Sequence, residues 1–136
     1  MRIALVLAAA LLAAGCVAKP SPPGALEGEW RFVAIDGNEP TAPARARLTF
    51  DPESLSATVG CNGMGGPWRI EQNRLIAGPL AGTRMFCAGP VWDQEQAVAS
   101  LLVAAPTLAF EDDRLVLRSS GHQATLERVS RPQPGS

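Results

Sequence analysis

"VGCNGMGGPW", residues 59–68, sets four glycines around one of the chain's three cysteines. Glycine supplies positive φ or a close backbone approach, so the stretch reads as a tight structured turn between strands. It is not a phosphate loop, because the GxxxxGK[ST] pattern is missing and no lysine follows. On both sides the apolar residues alternate as they do in strands. "ARLTF" (46–50), the turn "DPES" and "LSATV" (55–59) lead into it. "WRI" and "RLIA" around "EQN" lead out of it as a further hairpin. Earlier, "EWRFVAI" (29–35) alternates and stops at "DGN", a hairpin-type turn. Later, "TLAF", "RLVLRS" and "ATLERV" are joined by "EDD" and "SGHQ". Short, evenly spaced strands of this kind predict antiparallel pairs in a meander.

One segment has a different period. In "VWDQEQAVASLLVAAP" (91–106), Asp93 stands where an N-cap belongs and Gln96 completes a capping box. Val98, Leu101, Leu102 and Ala105 recur at helical spacing until Pro106 ends the run. The expected fold is therefore β-rich α+β: an antiparallel meander sheet or half-barrel with one covering helix. Residues 26–129 are enough for one domain with one core.

The ends of the chain have other roles. "MRIALVLAAALLAAGC" is a secretory signal: one arginine, a short apolar run and small residues before Cys16. The run is too short to span a bilayer, which takes roughly 20 residues. The order Leu12-Ala13-Ala14-Gly15-Cys16 resembles a bacterial lipobox, with Leu12 one place earlier than usual. That resemblance implies cleavage after residue 15, acylation of Cys16 and a partner in the membrane itself. The alternative is a secreted protein cut near Ala14 or Gly15. Val17, where an inner-membrane retention signal would carry aspartate, implies the outer membrane, facing the periplasm. Residues 16–25, rich in proline, read as a semi-rigid tether, and residues 130–136 as a disordered tail.

Without Arg2 the chain carries 11 basic against 13 acidic residues. Such a balance leaves no electrostatic footprint for nucleic acid. If Cys16 carries lipid, Cys61 and Cys87 remain as the one possible pair, and export favours a disulfide between them. A metal site is the weaker reading, since His122 is the only histidine and no CxxC or HxxxH spacing occurs. A Cys–His nucleophile would need His122 beside one cysteine, which no spacing supports. No cofactor motif is present either. The acids of "EDD" (111–113) sit in a turn, where carboxylates are ordinarily solvated. Glu95 falls on the helix face near the sheet and complements the helix dipole. No catalytic residue is assigned, and an enzyme is not expected.

"GCNGMGGPW" and "LAGTRMFC" (80–87) together resemble the paired signatures of the META (HslJ-like) domain family. "LEGEWRFVAIDG", Glu95 on the helix and the late "RLVL" strand fall in the same order, so the resemblance covers nearly all of the domain. Met64 and Trp68 depart from the aromatic and the tyrosine common at those places. The resemblance implies a lipoprotein of the cell envelope, with heat-shock association and drug resistance but no known chemistry. An unidentified envelope protein is an expected partner, and Asn62, Met64, Trp68 and Arg84 are the candidate binding surface. Inhibition of a periplasmic hydrolase, a lysozyme or a protease, is the alternative function.

Overall fold

The computed structural model describes residues 23–119 and 121–130. The signal segment, Cys16 and most of the expected tether and tail lie outside those residues. Nine strands are ordered β1 (Gly28–Ile35), β2 (Arg47–Phe50), β3 (Ser54–Thr58), β4 (Gly63–Glu71), β5 (Arg74–Ala77), β6 (Ala81–Gly82), β7 (Thr107–Glu111), β8 (Arg114–Ser119) and β9 (His122–Ser130), with helix α1 (Pro90–Val103) between β6 and β7. Hydrogen bonding runs β3-β2-β1-β9-β8-β7-β5-β4, and β3 pairs again with β4. The sheet therefore closes into an eight-stranded antiparallel barrel, further than the meander or half-barrel expected. β6 pairs with β4 beyond the end of β5.

Alternation puts one side chain in two into the barrel. Trp30 and Phe32 on β1, Leu48 and Phe50 on β2, Leu55 and Ala57 on β3, Leu115 and Leu117 on β8 are all buried. An eight-stranded barrel has an interior just wide enough for such side chains to fill. Val98, Leu101 and Leu102 of α1 complete that core, and the helix packs on β1, β5, β8 and β9. At the entry of the chain, Trp30 Nε1 donates to the Leu26 carbonyl at 2.8 Å. Arg128 stacks 4.3 Å from the Trp30 ring centroid and donates to the carbonyls of Glu27 and Ala25. Residues Pro23–Ala25, the last of the expected tether, thus form a 3-10 turn held against the barrel.

Two local expectations change. The helix begins at Pro90 with Gly89 as N-cap and no side-chain cap, so Asp93 lies within the first turn and Trp92 inside the helix. Proline fits the first helical position because its missing N–H has no partner to lose there. The glycine-rich turn is shorter than its glycines suggest: only residues 59–62 connect the strands, and β4 starts at Gly63. None of its glycines has positive φ; Gly60, Gly65 and Gly66 are needed for close approach, while Gly63 has room for a Cβ. A Cβ at Gly60 would lie 2.5 Å from Val91 Cγ2, and one at Gly66 would collide with the Pro79 carbonyl oxygen.

Barrel closure is uneven. β5 and β7 share the single pair Arg74↔Thr107, with bonds from the Leu75 amide to the Pro106 carbonyl at 2.9 Å and from the Leu108 amide to the Asn73 carbonyl at 3.0 Å. Above that seam β6 and its flanking residues face α1 across a groove.

Candidate functional site

The groove has a volume of about 470 Å³, within the usual range for a ligand site. Its floor is built by the signature segments. Cys61 and Cys87 form a disulfide with Cα atoms 6.4 Å apart, which joins the turn before β4 to the segment before α1. Beside it Asn62 is 5% exposed, and its amide group is fully used. Asn62 Nδ2 donates to the Met85 carbonyl at 2.8 Å. Its Oδ1 accepts from the Thr83 hydroxyl and the Met85 amide, both at 2.8 Å. Asn62 thus shapes the loop at 83–88 from inside, as asparagines in turns commonly shape local backbone.

Glu95 is just as buried, at 4% exposure. One of its oxygens accepts from the Asn62 backbone N–H at 3.2 Å; no second donor among the described residues reaches the carboxylate. The helix is thereby tied to the turn, and one carboxylate oxygen is left uncommitted in the groove. Cys61 Sγ, Cys87 Sγ and a Glu95 oxygen lie within 4.8 Å of one another. Those are metal-ligand types, but a metal takes thiolates, and here both sulfurs are spent in the disulfide.

The four residues of the expected binding surface separate. Met64, partly buried, and Arg84, exposed, line the groove. Asn62 contributes to the floor as a structural anchor. Trp68 is only 8% exposed and lies in the core, edge-on to Phe50 with centroids 4.9 Å apart and with Nε1 donating to the Asp51 carbonyl at 2.8 Å. Its wide apolar ring fills the barrel where β4 changes partner from β3 to β5.

Other residues complete the face. Phe86 is 82% exposed and Met85 57%, and the Phe86 ring leans on Trp92 with centroids 5.4 Å apart. Along α1, Trp92, Gln96, Ala99 and Val103 line the groove. Their spacing of four, three and four is that of a helical stripe, separate from the stripe of Val98, Leu101 and Leu102. The signal was in the sequence, as a second apolar row ending at Val103. Phe86 gave less warning: large aromatic side chains are usually buried.

His122 lies far from both cysteines in the fold. It opens β9 and its Nδ1 meets the Asp36 carboxylate at 2.8 Å. Burial alone would raise the Asp36 pKa; the hydrogen bonds from the His122 ring and the Gln123 amide, with the imidazole charge, outweigh it and hold the carboxyl below its ordinary value. The "EDD" acids sit at the β7–β8 hairpin, with Asp112 and Asp113 in the turn. Asp113 stays near Arg128, with 3.4 Å between Oδ1 and Nε. Among the described residues no helix is long and apolar enough to cross a membrane.

Two solved structures share this architecture. One, determined by NMR, is 20% identical, superposes with a TM-score of 0.71, and is matched over 79% of this chain and 95% of its own length. The other, an NMR structure of a protein from Burkholderia xenovorans, is 26% identical with a TM-score of 0.62, over 86% of this chain and 94% of that one. No curated protein matches the chain. The sequence model of the META domain matches residues 24–132, from the 3-10 turn through both signature segments and past the last strand. This protein belongs to the META domain family.

Proposed function

We propose that this chain is a non-enzymatic, membrane-tethered binding module working in the maintenance or stress resistance of the cell envelope. One observation carries the reading: the loop at 83–88 holds Met85 and Phe86 in solvent while the disulfide, two Asn62 hydrogen bonds to the Met85 backbone and one from the Thr83 hydroxyl hold it in place. Exposed apolar side chains on a mobile loop would be unremarked, but a contiguous apolar face kept open by a rigid frame marks an interaction site. The lipobox at Cys16 supports attachment to the outer membrane through acyl chains, with the domain reaching into the periplasm. The test is photo-crosslinking in living cells from position 86, with a Cys16→Ala control that cannot be acylated. A single envelope partner captured by the acylated form supports the reading. Bulk outer-membrane proteins alone, in equal amounts from both forms, would remove it.

A second reading draws on the same loop. A pinned projection bearing Arg84, Met85 and Phe86 has the form of an element that enters the cleft of a periplasmic lysozyme or protease. Dose-dependent loss of hydrolase activity with the purified domain would support inhibition. Unchanged activity at micromolar domain would count against it.

A further inference from the structure

The two walls of the groove are unlike each other, and each lacks something. On one side stands the free edge of β6 and its flanking residues. The Thr83 amide donates to the Gly63 carbonyl at 3.0 Å, and Met64↔Gly82 and Gly65↔Ala81 are the next pairs of the ladder. Backbone groups of an antiparallel strand point alternately to its two sides. With Thr83 bonded to β4, alternation turns the N–H and C=O of Gly82 away from β4; Gly82 lines the groove, and no strand among the described residues pairs with that side of β6. Opposite stands the apolar stripe of α1, Trp92, Ala99 and Val103, outside the barrel core. A free strand edge beside an unpartnered helix face is the arrangement in which an extended peptide adds as a further strand. Its main chain bonds the edge, and alternate side chains pack on the helix.

Charge narrows the occupant. Arg84, on the rim, has no hydrogen bond or ion pair among the described residues. It calls for a carboxylate, which a guanidinium binds through two parallel bonds. Below it the uncommitted oxygen of Glu95 accepts only a donor, such as a peptide N–H. A lipid tail would satisfy the helix stripe and leave the edge amides and Glu95 unpaired. β6 itself is two residues long; together with Leu80, Thr83 and Arg84, which flank it along the groove, an extended edge would run about 13 Å at the usual strand rise, matching a peptide of about five residues.

We infer that the groove between β6 and α1 binds an extended polypeptide segment by strand addition, apolar at alternate positions and carrying a carboxylate that pairs with Arg84. This rests on the reading of the face as a binding surface, and it names the chemistry of the partner. It also gives the uncommitted groups a shared purpose: the Gly82 backbone, the Arg84 guanidinium, the free Glu95 oxygen and the α1 stripe face one channel.

The probe is a display library of random octapeptides, selected on the oxidised domain and counter-selected on Ala99→Arg, which fills the channel from an exposed-side helix position. Selected sequences are expected to alternate apolar residues and to carry Asp, Glu or a free C-terminus. Synthetic copies, titrated by tryptophan fluorescence, should lose about tenfold or more in affinity when alternate peptide nitrogens are methylated, since main-chain bonds carry this mode of binding. Arg84→Ser should cost about fivefold or more for acidic peptides and little for their amidated forms. Methylation alters the probe and not the protein, so misfolding cannot imitate that loss. No enrichment over the Ala99→Arg background overturns the inference, and so does binding indifferent to methylation. Occupation of the groove by phosphatidylglycerol vesicles or by a second copy of the domain, with no peptide selected, overturns it as well. A crosslinked envelope partner together with an empty library would sink strand addition alone. A peptide-binding domain that captures nothing in cells would sink the envelope role alone.

Discussion

The two sides of this barrel are held by different means. β1 pairs with β9, and β9 with β8, through six residue pairs each, and Trp30, Leu115, Leu117 and Leu126 fill the space behind them. β5 and β7 meet at one pair, and the gap above it is bridged by α1, the disulfide, Asn62 and Glu95. On the first side the ladder itself excludes water and the surface is ordinary. On the second, cross-links from outside the ladder do the holding, and a groove with unspent backbone and apolar surface remains. The difference teaches that the signature segments are placed where the barrel does not close by itself. They frame an opening instead of sealing it.

The largest test of that contrast falls on the sealed side. Trp30→Ala should destabilise the domain by about 3–5 kcal/mol, the range for a buried aromatic truncated in a core, and Arg128 would lose its stacking partner as well. Urea unfolding measures the cost. A loss under about 1 kcal/mol would mean that the sealed wall is not the main support. Next comes the open side: reducing the 61–87 bridge should cost about 3.5 kcal/mol in the chain-entropy model. Chemical denaturation of the domain with and without reductant gives the figure. If the contrast holds, circular dichroism below the transition should keep its strand signal after reduction.

Much of this arrangement was legible beforehand, for physical reasons. The strands read correctly because period-two alternation survives in "WRF", "LSAT" and "RLVL"; β1 breaks it only after Phe32, at a register shift against β9. Turns such as Asp36-Gly37, both at positive φ, were marked by residues that tolerate that conformation. Closure was hidden, because the β1–β9 and β5–β7 pairings join strands distant in the chain, and no local pattern carries that. The cysteine pair followed from arithmetic, whereas the burial of Trp68 did not: a tryptophan after a proline in a glycine-rich stretch has the same local context whether its ring faces in or out. Asp93 was misassigned to the N-cap because the sequence there matches a capping box. Pro90, three residues earlier, had already started the helix. The groove was legible only in part, through the second stripe on α1. Its other wall is backbone, and backbone groups left free by topology have no residue code.

Two smaller effects sharpen the comparison. Asp36 and His122 join the turn after β1 to the start of β9 at the sealed end. With the Asp36 pKa held below its ordinary value, the pair's contribution is complete above the unfolded carboxylate pKa, about 3.9, and is lost as pH falls through the lower folded value. The side chains are about a third exposed, so His122→Ala should cost under about 1 kcal/mol at pH 6, as for other solvated pairs. The cost should shrink in acid as Asp36 protonates in both proteins; unfolding curves at pH 6 and pH 3 decide it. Smallest of all, Phe86→Ser should change stability by no more than about 0.5 kcal/mol, as expected for an exposed site, while reducing partner capture from a photo-crosslinker placed at position 85. A large stability loss would place Phe86 in the fold and not on a binding face.

The open side presents a strand edge whose backbone groups are unspent, in alternation with spent ones. Residue-resolved amide hydrogen exchange on the oxidised domain tests it directly. The Thr83 and Met85 amides, bonded to the Gly63 carbonyl and to Asn62 Oδ1, should be protected. Those of Gly82 and Arg84, between and beside them, should exchange at rates near those of an open chain. Uniform protection from residue 81 to 85 would mean that the edge is already occupied, and uniform rapid exchange that no ordered edge exists; either result would contradict the account.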